Sequence, residues 1–189
     1  MPSATSDEVH ARTMTLEAFA DTIVPGEKRS PDDRAIAGVA TGGGAVAAGA
    51  LDLLATPAGG LAPVLGDLAA ALNGHAQTYA TERGMVLDAS VPPFVALAFE
   101  HRAAMVQSLT APRHPERQLW VNLATFSNMA FDSAAHLSTT EALATGHPGL
   151  MTIGFAPPNA DGLWRFPDSS YRRKLADPHP ATTASGSPA

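Results

Sequence analysis

Across residues 35–99 only Asp52, Asp67, Glu82, Arg83 and Asp88 carry charge, and across residues 118–164 only Asp132, Glu141 and Asp161 do. A helix that buries one face normally turns a charged face to water. Helices drawn through these stretches must instead show Ala, Gly, Ser, Thr and Asn on the outside. Charged residues make up 16% of the 189-residue chain, against about 25% in ordinary soluble domains. Two readings account for the deficit. Either small neutral residues face water as a compositional habit, or much of the surface is covered by another subunit, since interface cores are depleted in charge. The C-terminal stretch favours the second. Its Leu163, Trp164, Phe166 and Tyr171 lie on an irregular segment, where exposed apolar side chains are costly, and they are the expected partner-contacting residues.

Apolar spacing assigns the class. Leu16, Phe19, Ala20 and Ile23 follow an expected N-cap at Thr15 and stop at Pro25-Gly26. Ser30-Pro31-Asp32-Asp33 opens a short helix through Val39, and Ala45–Leu54 forms another after Gly42-Gly43-Gly44. Leu61, Val64, Leu65, Leu68, Leu72, Ala76 and Tyr79 make a helical stripe up to Gly84. Pro92-Pro93 begins a helix reaching Leu109, Glu116 to about Leu137 is a long one, and Thr139–Ala144 a short one. Strand-period alternation is missing apart from short pieces near the C-terminus. The expected fold is therefore all-α, an irregular bundle of about five to six helices. A flexible arm over residues 1–12 precedes the helical domain at 13–145. An extended, mostly non-helical arm follows at 146–176, and a disordered tail at 177–189.

Several function classes are excluded or disfavoured. A net charge of −6 cannot neutralise a run of phosphates, so nucleic acid is not an expected partner. Absence of cysteine removes disulfides, thiolate metal sites and cysteine nucleophiles. The uncharged run 35–51 is rich in Gly and Ala and transfers too little hydrophobic energy to span a membrane. No basic and apolar leader and no twin-arginine signal is seen, so the expected location is cytoplasmic, with export alongside a partner left open. Ala45-Val46 after the glycines rules out a phosphate-binding loop, which needs Lys-Ser/Thr there.

Candidate chemistry is incomplete. Asn128, Asp132 and His136 at i, i+4 and i+8 share one expected helical face. Asp132 could orient His136 as a general base, or the stripe could be a polar layer between helices. His101 aligns with Phe94, Leu97 and Met105 and is expected to point at the core or a contact surface. His75 lies beside the Leu72/Ala76 stripe, and His114, His147 and His179 adjoin prolines in loops with no special role. No metal or cofactor site is assigned to this chain.

The run Leu16-Glu17-Ala18-Phe19-Ala20-Asp21-Thr22-Ile23-Val24-Pro25-Gly26, then Pro31, Ala37-Gly38-Val39 and Leu51-Asp52-Leu53-Leu54, resembles the gluconate 2-dehydrogenase subunit 3 family, including actinobacterial relatives of unknown function. The likeness is best over about 40 N-terminal residues and looser over Phe94–Leu109 and at His147-Pro148-Gly149 and Gly154-Phe155. It implies a small, non-catalytic accessory subunit that stabilises a large flavoprotein of the glucose–methanol–choline oxidoreductase type, with FAD on the partner. Within it Asp21 is structural, fixing the turn at Pro25 and Gly26. The alternative is a stand-alone helical enzyme of secondary metabolism with an apolar pocket, using His101 or the Asp132–His136 pair as acid and base. A third reading is a self-assembling bundle.

Overall fold

Thr5 starts the fold. In the computed structural model, which describes residues 5–155 and 180–181, its hydroxyl accepts from Glu8 N–H while Glu8 returns a bond to Thr5 N–H, a reciprocal cap. Helix α1 therefore spans Ser6–Ile23, and the flexible arm expected over residues 1–12 is helical from Ser6. Thr15, the expected N-cap, is buried inside α1. Its hydroxyl donates to Ala11 O at 2.9 Å and accepts from Asn73 Nδ2 at 3.1 Å.

The other helices are α2 (Ala50–Ala55), α3 (Leu65–Glu82), α4 (Pro93–Ala96), α5 (Phe99–Leu109), α6 (Arg117–Ser133), α7 (Thr139–Ala144) and α8 (Pro148–Thr152). Single 3-10 turns occupy Pro57–Gly59 and Ala62–Val64. The described residues contain no strand, so the fold is all-α, and its eight helices include four of only four to six residues. No helix of the described residues is long and apolar enough to cross a membrane. The chain divides into two units, Met1–Phe155 and Ala156–Ala189. The first runs past the domain boundary expected at residue 145, because α8 packs into it. Leu163, Trp164, Phe166 and Tyr171 lie outside the described residues.

Four expected helices change. The stretch 31–39 is a loop: Asp33 Oδ1 accepts from the N–H groups of Ala35 and Ile36 at 3.1 and 3.2 Å, an Asx-type turn that competes with helix. Residues 45–48 form turns and only Ala50–Ala55 is helical, because Gly49 adopts a left-handed φ of 82°. The helix expected from Pro93 to Leu109 is broken at Leu97, whose backbone is extended. The helix expected from Glu116 to about Leu137 likewise loses its end, since α6 stops at Ser133 and Ala134 turns left-handed at φ 48°.

The main core gathers Leu16, Phe19, Leu72, Phe94, Leu97 and Trp120 from α1, α3, the α4 region and α6. The Phe19 ring lies 6.4 Å from both Phe94 and Trp120, centroid to centroid, in tilted contacts. Asn73 ties three helices together. Its amide donates to Thr15 on α1, and its carbonyl accepts from Phe94 N–H at 3.1 Å on α4. A second cluster of Ala20, Ala45, Ala50, Leu53 and Ala130 depends on close backbone approach rather than bulk.

Main chain meets main chain at the glycines. Glu27 N–H donates to Gly42 O at 2.8 Å and Ala45 N–H to Val24 O at 2.9 Å, closing the loop 25–44 at its base. Gly26 and Gly44 touch there, and Gly43 faces Pro148. Gly74 on α3 is the opposite case, exposed with open space where a Cβ would lie. Gly74→Ala is expected to raise the unfolding free energy by roughly 0.5–1 kcal/mol in denaturant titration, since Ala loses less backbone entropy in a helix.

Candidate functional site

The residues that carry the fold's polar interior surround Arg102. Its side chain is 4% exposed and is spent entirely on carbonyls: Nε to Leu97 O at 2.9 Å, the terminal nitrogens to Ala35 O at 2.7 Å, Val95 O at 2.6 Å and Arg34 O at 3.1 Å. Burial pulls its proton affinity down, and Asp21 opposes that. Asp21 is itself buried. One oxygen accepts from Gly26 N–H at 3.0 Å and the other from Ala37 N–H at 2.9 Å. Desolvation raises its pKa, and the two backbone donors work against the rise. Together Arg102 and Asp21 satisfy the backbone of the loop that replaces the expected helix at 31–39. Both are fully committed to the chain, which leaves neither free for a substrate.

His101 is the neighbour that the spacing singled out, but it is only half-buried. The break at Leu97 resets the register, so Arg102 and Met105, not His101, point inward. His101 Nδ1 bonds the Tyr79 hydroxyl at 3.2 Å, and the Arg83 guanidinium lies 3.6 Å above the Tyr79 ring. A cavity of about 240 Å³ beside this group is lined by His75, Tyr79, Arg83, Met105 and His114 among others. At its rim Glu116 accepts from His75 Nε2 at 2.7 Å and from Trp120 Nε1 at 3.0 Å. Those bonds, the histidine first, hold the Glu116 carboxyl below its usual range.

Asp132 and His136 are not brought together. Asp132 is exposed and accepts from Asn128 Nδ2 at 2.7 Å. The left-handed turn at Ala134 swings His136 off the face of α6 and toward the turn before α2. There its ring contacts Gly49, where a Cβ would overlap it, and its Nδ1 is buried with no hydrogen-bond partner. Burial lowers the His136 pKa, Asp52 pulls it back up, and His147 lowers it further. The polar stripe is thus split into an exposed Asn–Asp pair and a separate histidine.

His147, assigned no role from the sequence, is the partner that His136 acquires. It is 4% exposed, with its ring 6.2 Å from that of His136. As N-cap of α8 it accepts from Leu150 N–H through Nδ1 at 3.3 Å, and its Nε2 donates to Ala48 O at 3.0 Å. The signal was present in Pro148, because proline favours the first position of a helix and marks the residue before it as a cap. An open cleft of about 570 Å³ lies over this pair, lined also by Asp52, Thr56, Leu137 and Thr145. Among the described residues no three His, Asp or Glu side chains converge to hold a metal ion.

Residues 10–189 match the model of a family of unknown function, DUF5987. The chain belongs to that family. No curated protein and no solved structure matches it. The DUF5987 match covers Arg102, the Asp21 turn and the His136–His147 cleft alike, so all three lie within the family's common region.

Proposed function

We propose that the chain is a small accessory subunit that binds and stabilises a large flavin-dependent oxidoreductase of the glucose–methanol–choline type. The partner carries FAD and the chemistry, and this chain supplies a covering surface. The observation that carries the reading is the neutral outer side of two long helices. On α6 the exposed positions between Gln118 and Met129 are Gln118, Leu119, Asn122, Thr125, Asn128 and Met129. On α3, Asp67 is the single charge among exposed positions until Glu82, the rest being Gly66, Ala70, Ala71, Gly74, Gln77, Thr78 and Thr81. Exposed Leu137, Met151 and Ile153 extend the uncharged surface beyond α6. Low charge density of this kind suits the core of a protein interface, and Trp164, Phe166 and Tyr171 would add aromatic anchors to it, with Leu163 as an aliphatic one. The buried interior adds support from the other side, since Arg102 and Asp21 spend their hydrogen bonds on backbone groups.

Co-expression with a flavin-dependent oxidoreductase of the glucose–methanol–choline type from the same source tests the proposal. The two chains are expected to co-elute as one yellow complex. Paired Asn122→Arg and Thr125→Arg substitutions on the outer side of α6 are expected to separate them without lowering the melting temperature. A chain that elutes as a well-behaved monomer, apart from the flavoprotein and with turnover of its own, overturns it.

A further inference from the structure

The segment after α6 is fastened to the body by a different kind of contact from the rest of the bundle. Its buried apolar side chains form a separate small cluster of Ala134, Ala142 and Leu150, with Phe155 against them, while Gly149 sits against the Phe131 main chain and Pro148 against Gly43. Two of those side chains are single methyl groups, so area burial holds this segment weakly. The contacts with the turn before α2 are correspondingly important, and they run through two histidines, His147 by hydrogen bonds and His136 by the packing of its ring.

His147 bridges the start of α8 to Ala48, and the pattern of its two bonds requires a neutral ring with the hydrogen on Nε2. A second proton would sit on Nδ1, facing the Leu150 N–H that now donates to it. His136 presses its ring on Gly49 and buries an unpartnered Nδ1. The charged and titratable groups that face it are Asp52 from α2 and His147 from the start of α8. Asp132 on α6 is turned to Asn128, and Glu141 on α7 is occupied by the Ser138 cap. A proton on His136 therefore meets one exposed carboxylate and one buried imidazole.

We infer that His136 and His147 form an acid-released latch: neutral, they hold the segment 134–155 on the turn before α2, and protonated, they let α7 and α8 lift away while the main core stays folded. The latch does not rest on the flavoprotein partner, although the segment it holds carries Leu137, Met151 and Ile153 of the proposed partner surface. Its sign follows from the burial of His136, which depresses the proton affinity of the closed form. Closure is then strongest above the ordinary histidine value of about 6.5 and weakens as pH falls below it.

Amide hydrogen exchange on the full chain, corrected for intrinsic rates, reads the latch directly. Between about pH 8 and about pH 5.5, protection over 134–155 is expected to fall roughly tenfold while that of α5 is unchanged. In the double variant His136→Asn/His147→Asn, residue 147 can still cap α8 but neither side chain titrates, and protection is expected to be pH-independent. Proton NMR of the wild-type imidazoles supplies the second readout: the His136 ring must titrate over the interval in which protection is lost. Rings that titrate while 134–155 stays protected, or a double variant as acid-labile as wild type, overturn the latch.

Discussion

Arg102→Ala is expected to lower the unfolding free energy by about 3–5 kcal/mol. The truncation strands the carbonyls of Arg34, Ala35, Val95 and Leu97 in the interior. It also leaves buried Asp21 without its nearby positive charge. Each orphaned acceptor costs about 1–3 kcal/mol before relaxation, and relaxation recovers part of the sum. Arg102→Lys keeps the charge but cannot spread donors over four carbonyls, so it is expected to rescue little. Urea titration followed by circular dichroism measures both. A loss below about 1 kcal/mol for Arg102→Ala would mean that the loop 31–39 holds itself without the guanidinium.

Gly44→Ala is the second large effect, expected to cost about 3 kcal/mol. A methyl group there would overlap Val24 O, Pro25 C and Gly26 N, all main-chain atoms that cannot swing aside. The neck bond from Ala45 N–H to Val24 O would break in the accommodation. The same change at Gly74, with open space around it, is expected to have the opposite sign. Measuring the two side by side separates close packing from helix propensity. Equal effects would show that the glycine contact does not constrain the fold.

What the sequence disclosed, and what it withheld, follows from the distance over which each feature is decided. The boundaries of α7 were readable because Ser138 and Glu141 form a reciprocal cap within four residues. The stripe Leu65, Leu68, Leu72 and Ala76 likewise placed α3, whose own periodicity is enough. The start of α1 was missed because Ser6–Arg12 shows no apolar stripe, and the Thr5–Glu8 cap alone sets it. The loop at 31–39 was illegible for another reason. Pro31-Asp32-Asp33 is a sound helix start, but the groups that override it, Asp21 and Arg102, stand 16 and 67 residues away in sequence.

The site was split in the same way. Counting i, i+4, i+8 joined Asp132 to His136, but one left-handed residue, Ala134, ends the count after Asp132. Counting through Pro93–Leu109 aimed His101 inward, but the Leu97 carbonyl is drawn to Arg102 and the register restarts at Phe99. Asp21 and Gly26 were adjacent enough to be read together, and the bond between them is 3.0 Å.

The closed neck of the loop 25–44 has a consequence for how such a chain can vary. Arg102 and Asp21 grip its near side at residues 34–37, whereas Gly38 to Thr41 have no hydrogen bond to the body. Lengthening that tip adds only about 0.6 kcal/mol per doubling of a flexible loop. Insertions, tags or new chain ends introduced there are expected to leave the helices undisturbed.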